Sequence, residues 1–176
     1  MSKYDYGTIV VGTDGSSLAA PTIARAARLA RHDDADLVIV CAYAQLPRRL
    51  EAKNVATLGG DVRTGQVLGR EAARLALSEA MSDATELGAT VTAALLVDGD
   101  PARSLVQTAE EQSADLIVLG AIQDRSLADR LLGSTANEVT KRAPCDVLIV
   151  RPLTDEGELE VPEDAPLAAE QTGSTS

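Results

Sequence analysis

Histidine and cysteine are scarce: His32 is the only histidine, and Cys41 and Cys145 form neither a CxxC pair nor a cluster with it. A zinc site therefore lacks ligands. His32 sits at the far end of a predicted helix beside Asp33 and Asp34, out of reach as the base for a serine nucleophile, and reads as a surface or cap residue. No acid pair is placed for catalysis, so no constellation for turnover emerges and the chain is not expected to be an enzyme. Each cysteine lies in or beside an apolar run and reads as a small buried hydrophobe. No stretch approaches the ~20 apolar residues of a membrane span, and the opening MSKYDYGT has no apolar signal region. The expectation is a cytoplasmic, soluble chain with no membrane partner. Basic residues are also few, 16 against 27 acidic ones, for a net charge of −11; binding nucleic acid through its phosphates needs the opposite surplus. A Walker loop ending in Lys-Ser or Lys-Thr and a GxGxxG fingerprint after the first strand are both missing. A receiver domain would need further acids and a lysine near the last strand, where this chain has Arg151.

What remains is enough for one domain: 176 residues, 45% of them hydrophobic. The acid is unevenly spread. Asp155, Glu156, Glu158, Glu160, Glu163, Asp164 and Glu170 follow Pro152 with no basic residue, so seven of the eleven net charges lie there and four in the rest. Residues 152–176 also lack apolar periodicity and are expected to be a disordered acidic tail on a domain of residues 1–151.

Four runs are nearly continuously apolar: 7–13, 36–43, 115–121 and 145–151, with a weaker one at 89–97. Strands apolar on both faces belong to a covered parallel sheet. Between them, residues 18–31, 66–87, 101–113 and 134–142 carry helical spacing, with Gly88 placed as a helix terminator and Asp100-Pro101 as a cap followed by proline at the first helical position. The fold class is α/β: a single open five-stranded parallel sheet, order 3-2-1-4-5, with helices on both faces. The segment 44–65 is long for a connection in such a domain and is either a lid or an excursion.

In such a sheet ligands bind beyond the carboxyl ends of the strands where the order reverses, here between the first and fourth. The first strand runs into Gly12-Thr13-Asp14-Gly15-Ser16-Ser17. Asp14 is placed either to bind ribose hydroxyls or magnesium, or, with the serines, to cap the next helix. The fourth ends at Gly120, and Gly133-Ser134-Thr135 open the last helix, where backbone N–H groups attract phosphate. Arg125 and Arg130 lie between, as phosphate ligands or as solvated surface.

Gly12 to Ser16, Val97-Asp98-Gly99-Asp100-Pro101, Gly120 to Thr135 and the closing APCDVLIVRP occur in the order and spacing of a known family. Over residues 7–151 the chain resembles the universal stress proteins. The resemblance implies a Rossmann-like fold of the adenine nucleotide alpha hydrolase type and an ATP site, with ATP or another adenine nucleotide as ligand. Thr13 and Asp14 would line the adenosine, Ala42 would offer backbone groups to adenine, Gly120 would approach the ribose, and Gly133, Ser134 and Thr135 would hold phosphates. ATP-binding members carry glycine, two residues, glycine, nine residues, glycine, then serine or threonine; here Gln123 replaces the middle glycine. A glutamine there either turns its amide to a phosphate or closes the pocket. The implied function is a nucleotide-responsive stress-response switch with at most weak ATP hydrolysis or autophosphorylation, with a non-nucleotide dimeric scaffold or a cyclic AMP binder as alternatives, and a homodimer through the final strand as the assembly.

Overall fold

A computed structural model describes residues 5–46, 60–61, 66–121 and 132–151, of which 60–61 are described by backbone alone. In chain order these form β1 (Thr8–Gly12), α1 (Ala19–Asp33), β2 (Asp36–Ala44), β3 (Gly60–Asp61), β4 (Gln66–Leu68), α2 (Arg70–Glu86), β5 (Thr90–Asp98), α3 (Pro101–Glu111), β6 (Leu116–Gly120), α4 (Ser134–Arg142) and β7 (Asp146–Val150).

Five parallel strands stand in the order β5-β2-β1-β6-β7, the order expected for the five apolar runs. The register aligns Val10 with Val38 and with Ile117, and Val118 with Leu148. Two short strands add to it: β4 pairs with the end of β2 (Tyr43 with Val67, Ala44 with Leu68), and β3 pairs antiparallel with β4.

Each central strand is buried on both faces because both are covered. Ile9, Val11, Leu37, Ile39 and Val118 face α1 and α2, while Val10, Val38, Val40 and Ile117 face α3 and α4. Alternation along a strand sends neighbours to opposite faces, and apolar residues at every position follow. On α1, Ile23, Ala26, Ala27 and Ala30 fall at helical spacing and are buried. Small alanines let α1 and α2 lie close to the sheet, and burying a side chain such as Ile117 contributes about 1.5–3 kcal/mol.

The local signals act as stated at several helix ends. Asp100 is extended (φ −70°, ψ 129°), its carboxylate accepts the Arg103 N–H at 2.8 Å, and Pro101 opens α3. Gly88 adopts φ +82° after α2, and α4 spans the predicted 134–142.

Two expectations need correction. Residues 66–68 were expected to begin a helix but form β4, because Gly69 at φ +90° turns the chain and donates its N–H to Ala44 O, so α2 starts only at Arg70. The N-cap of α1 falls at Leu18, beyond the Asp14–Ser17 turn and with no side-chain cap bond, and the Asp14 carboxylate accepts the Ser16 N–H instead. Most of the 44–65 segment and all of the acidic tail lie outside the described residues.

Candidate functional site

Beyond the carboxyl ends of β1 and β6 lies a cleft of about 710 Å³, a volume that includes space open to solvent. Its wall is assembled from six elements. The end of β1 supplies Gly12, Thr13, Asp14 and Ser16; β2 supplies Val40 and Ala42; β6 and the following residue supply Leu119, Gly120 and Ala121; Gly133, Ser134, Thr135 and Ala136 open α4; Leu18, Ala19 and Thr22 of α1 and Pro101 and Leu105 of α3 close the sides.

Sheet geometry fixes the floor. Thr13 is buried, and its N–H donates to Val40 O at 2.9 Å, extending the β1–β2 ladder one residue past the strand. The chain then turns sharply: Gly15 has φ +68°, and a Cβ there would lie 2.9 Å from Ala76 Cβ on α2. Only glycine takes that conformation at low cost with a neighbour so close. The turn is held by Asp14, whose Oδ1 accepts the Ser16 N–H at 3.0 Å. One carboxylate oxygen is thereby committed to the backbone, on a residue that also lines the cleft.

Gly120 leaves room for a different neighbour. A Cβ at that position would stand 3.0 Å from Leu18 Cδ2 and 3.2 Å from Thr22 Oγ1, so its missing side chain lets α1 seat against β6. Thr22, itself buried, donates its hydroxyl to Leu18 O at 2.7 Å and presents no unsatisfied polar atom.

The amino end of α4 opens on the cleft with Gly133 as N-cap and no side-chain cap bond. The helix dipole gives that end partial positive charge. Among the described residues the other charge lining the cleft is Asp14, so an anionic group is favoured toward α4 and disfavoured toward the β1 turn.

Cys41 lies just beneath. Burial, reinforced by the Asp14 carboxylate, pushes its thiol up to about 12, so it carries no thiolate near neutrality. Cys145 is half-buried and raised by the same cause, burial first. Both behave as the small hydrophobes expected. His32 is exposed, with Nδ1 2.6 Å from Asp33 Oδ1. Among the described residues no three His, Cys, Asp or Glu side chains come together to hold a metal ion, and no helix is long and apolar enough to cross a membrane.

Of the predicted site residues, Thr13, Asp14, Ala42, Gly120, Gly133, Ser134 and Thr135 line this single cleft. Gln123, Arg125 and Arg130 lie outside the described residues. Leu18, Thr22 and Leu105 were not anticipated as lining. Thr22 carried a faint signal, a polar residue on the otherwise apolar face of α1.

The universal stress protein family model matches residues 5–151. The chain belongs to the universal stress protein family. A universal stress protein of Mycobacterium tuberculosis is 38% identical over 145 residues, covering 82% of this chain and 96% of the relative. Among solved structures, a universal stress protein in complex with cAMP is 33% identical with a TM-score of 0.61, covering 84% of this chain and 98% of that one. The universal stress protein from Archaeoglobus fulgidus in complex with dAMP is 25% identical with a TM-score of 0.59, covering 82% and 98%. Both structures share the fold of this chain.

Proposed function

We propose that the chain binds an adenine nucleotide, ATP foremost, in the cleft between β1 and β6, and that occupancy serves as a stress-response switch. The reading rests on one convergence: Asp14, Ala42, Gly120 and the Gly133–Thr135 start of α4 are distant in sequence and meet in one cleft. Relatives solved with cAMP and dAMP support the adenine-nucleotide class. In this reading Ala42 offers backbone groups to the base, Thr13 and Asp14 flank the ribose, Gly120 lies under it, and the α4 amino end with Ser134 and Thr135 receives phosphate. A magnesium ion would take Asp14 as its one protein carboxylate and rely on phosphate oxygens and water for the rest, which suits magnesium's preference for few protein ligands. Assembly is a homodimer through β7, an edge strand with Val147, Leu148 and Ile149 half-buried in the single chain.

Gln123, in place of the middle glycine of the ATP-binding pattern, favours a second reading: a scaffold that works through its dimer surface without nucleotide. Calorimetry with ATP, ADP and cyclic AMP, with and without magnesium, separates the two. ATP binding by wild type that Asp14→Ala abolishes supports the switch. Binding of cyclic AMP alone redirects it to second-messenger sensing. Binding only by Gln123→Gly, or by no variant, supports the scaffold.

A further inference from the structure

Helix α1 presents a row of cations in an acidic protein. Arg25, Arg28 and Arg31 recur every three residues on its exposed side, and no acidic residue occurs in the helix before Asp33. At 100° per residue they span about a third of the circumference, opposite the buried alanine face. Neither Arg25 nor Arg28 has a hydrogen-bond or ion-pair partner among the described residues, and Arg31 has only a 3.4 Å contact from Nη1 to Leu87 O. Three cations on one helix face attract a run of carboxylates more strongly than any one of them alone, and the chain supplies such a run.

The acidic segment 155–164 begins four residues after Arg151 and carries six carboxylates with no basic residue. Its point of departure is fixed. Val150, the last residue of β7, is buried against the core that α1 covers, and its carbonyl accepts the Ala121 N–H at 2.8 Å. The adjoining Gly120 packs on Leu18, the N-cap of α1. Val150, two residues before the tail begins, therefore lies beside the amino end of α1, and the arginines lie further along that helix, the last of them about 18 Å from Ala19 at 1.5 Å per residue. Twelve extended residues reach about 40 Å, so residues 155–164 span the row with slack.

We propose that the tail segment Asp155–Asp164 docks along the Arg25, Arg28 and Arg31 face of α1 in its own chain. Docked there, its carboxylates pair with the three guanidinium groups and compete with other anions for them. Charge complementarity, reach and point of departure all select this occupant.

The test is paramagnetic relaxation in the full chain. A nitroxide is attached at Gly157→Cys in a Cys145→Ser background, where the buried Cys41 thiol does not compete for label. The expected result is loss of the α1 amide signals at residues 25–31, recovered when Arg25, Arg28 and Arg31 are changed together to Glu. Recovery is also expected between about 0.1 M and about 1 M salt, as the Debye length falls from about 10 Å to about 3 Å. If the triple reversal unfolds the protein, the triple Gln variant serves in its place. The control Arg142→Glu, on α4 and paired with Glu138, should leave the loss unchanged. Unaffected α1 signals would overturn the proposal, as would a loss indifferent to the arginine changes, a loss centred on β7, equal recovery with Arg142→Glu, or a loss seen only between differently labelled molecules.

Discussion

At the amino ends of the strands, aspartates are spent on backbone. Asp115 Oδ2 accepts the N–H groups of Gly7 at 2.8 Å and Thr8 at 3.0 Å, and Asp33 Oδ2 accepts that of Tyr6 at 3.1 Å, so the segment leading into β1 is tied to the start of β6 and the end of α1. At the carboxyl ends the same side chain is spent differently: Asp14 holds its own turn with one oxygen and lines an open cleft. One end closes its hydrogen bonds within the protein. The other turns a carboxylate and the amino end of a helix toward the cleft, the arrangement that suits a ligand.

The contrast predicts where substitutions act. Gly15→Ala should have the largest effect, about 2–4 kcal/mol of lost stability from the positive φ and the Ala76 contact, read as a lower urea midpoint. A loss under 0.5 kcal/mol would show that the turn at the cleft is not conformationally demanding. Asp115→Ala should follow at about 1–2 kcal/mol, since two backbone donors lose a charged acceptor, with faster amide exchange at Gly7 and Thr8 and no change at the cleft. Asp14→Ala should cost at most about 1 kcal/mol, one local bond, while abolishing nucleotide binding, which separates the ligand role of that end from the structural role of the other.

The smallest effect is a pH dependence at the amino end. The hydrogen bond to Asp33, and then its charge, raises His32 above 6.5; the bond from His32, followed by that from the Tyr6 N–H, holds Asp33 below 3.8. A raised histidine stabilises fully below 6.5 and ceases to as pH climbs through its folded value. A depressed carboxyl stabilises above 3.8 and ceases to as pH falls through its lower folded value. His32→Ala should therefore lower the urea midpoint slightly between pH 3.8 and 6.5 and merge with wild type in alkali. In Asp33→Asn the imidazole should titrate closer to 6.5 by NMR.

The sheet was legible because strands buried on both faces leave uninterrupted apolar runs, and the order followed from alternation with helices. Asp100-Pro101 and Gly88 were legible for local reasons that tertiary contacts do not override. Val67 and Leu68 were not: two apolar residues ahead of a long amphipathic helix fit its period, and only the hydrogen bond from Gly69 to Ala44, distant in sequence, shows that the chain is a strand there. The cleft's glycines and Asp14 could be found by spacing. The packing reason for Gly120 could not, because it depends on how α1 seats Leu18 and Thr22 against β6. Asp115 read as the first residue of a strand, and its two bonds to the start of β1 needed the sheet order to become visible.

The most direct test of the nucleotide reading is an ATP titration of the isotopically labelled full chain, followed at the backbone amides. The account predicts saturable shifts confined to Thr13, Asp14, Ala42, Gly120 and Gly133–Thr135, with Gly7 and Thr8 at the opposite end unmoved. Saturable shifts elsewhere, or none at any ATP concentration, would contradict it.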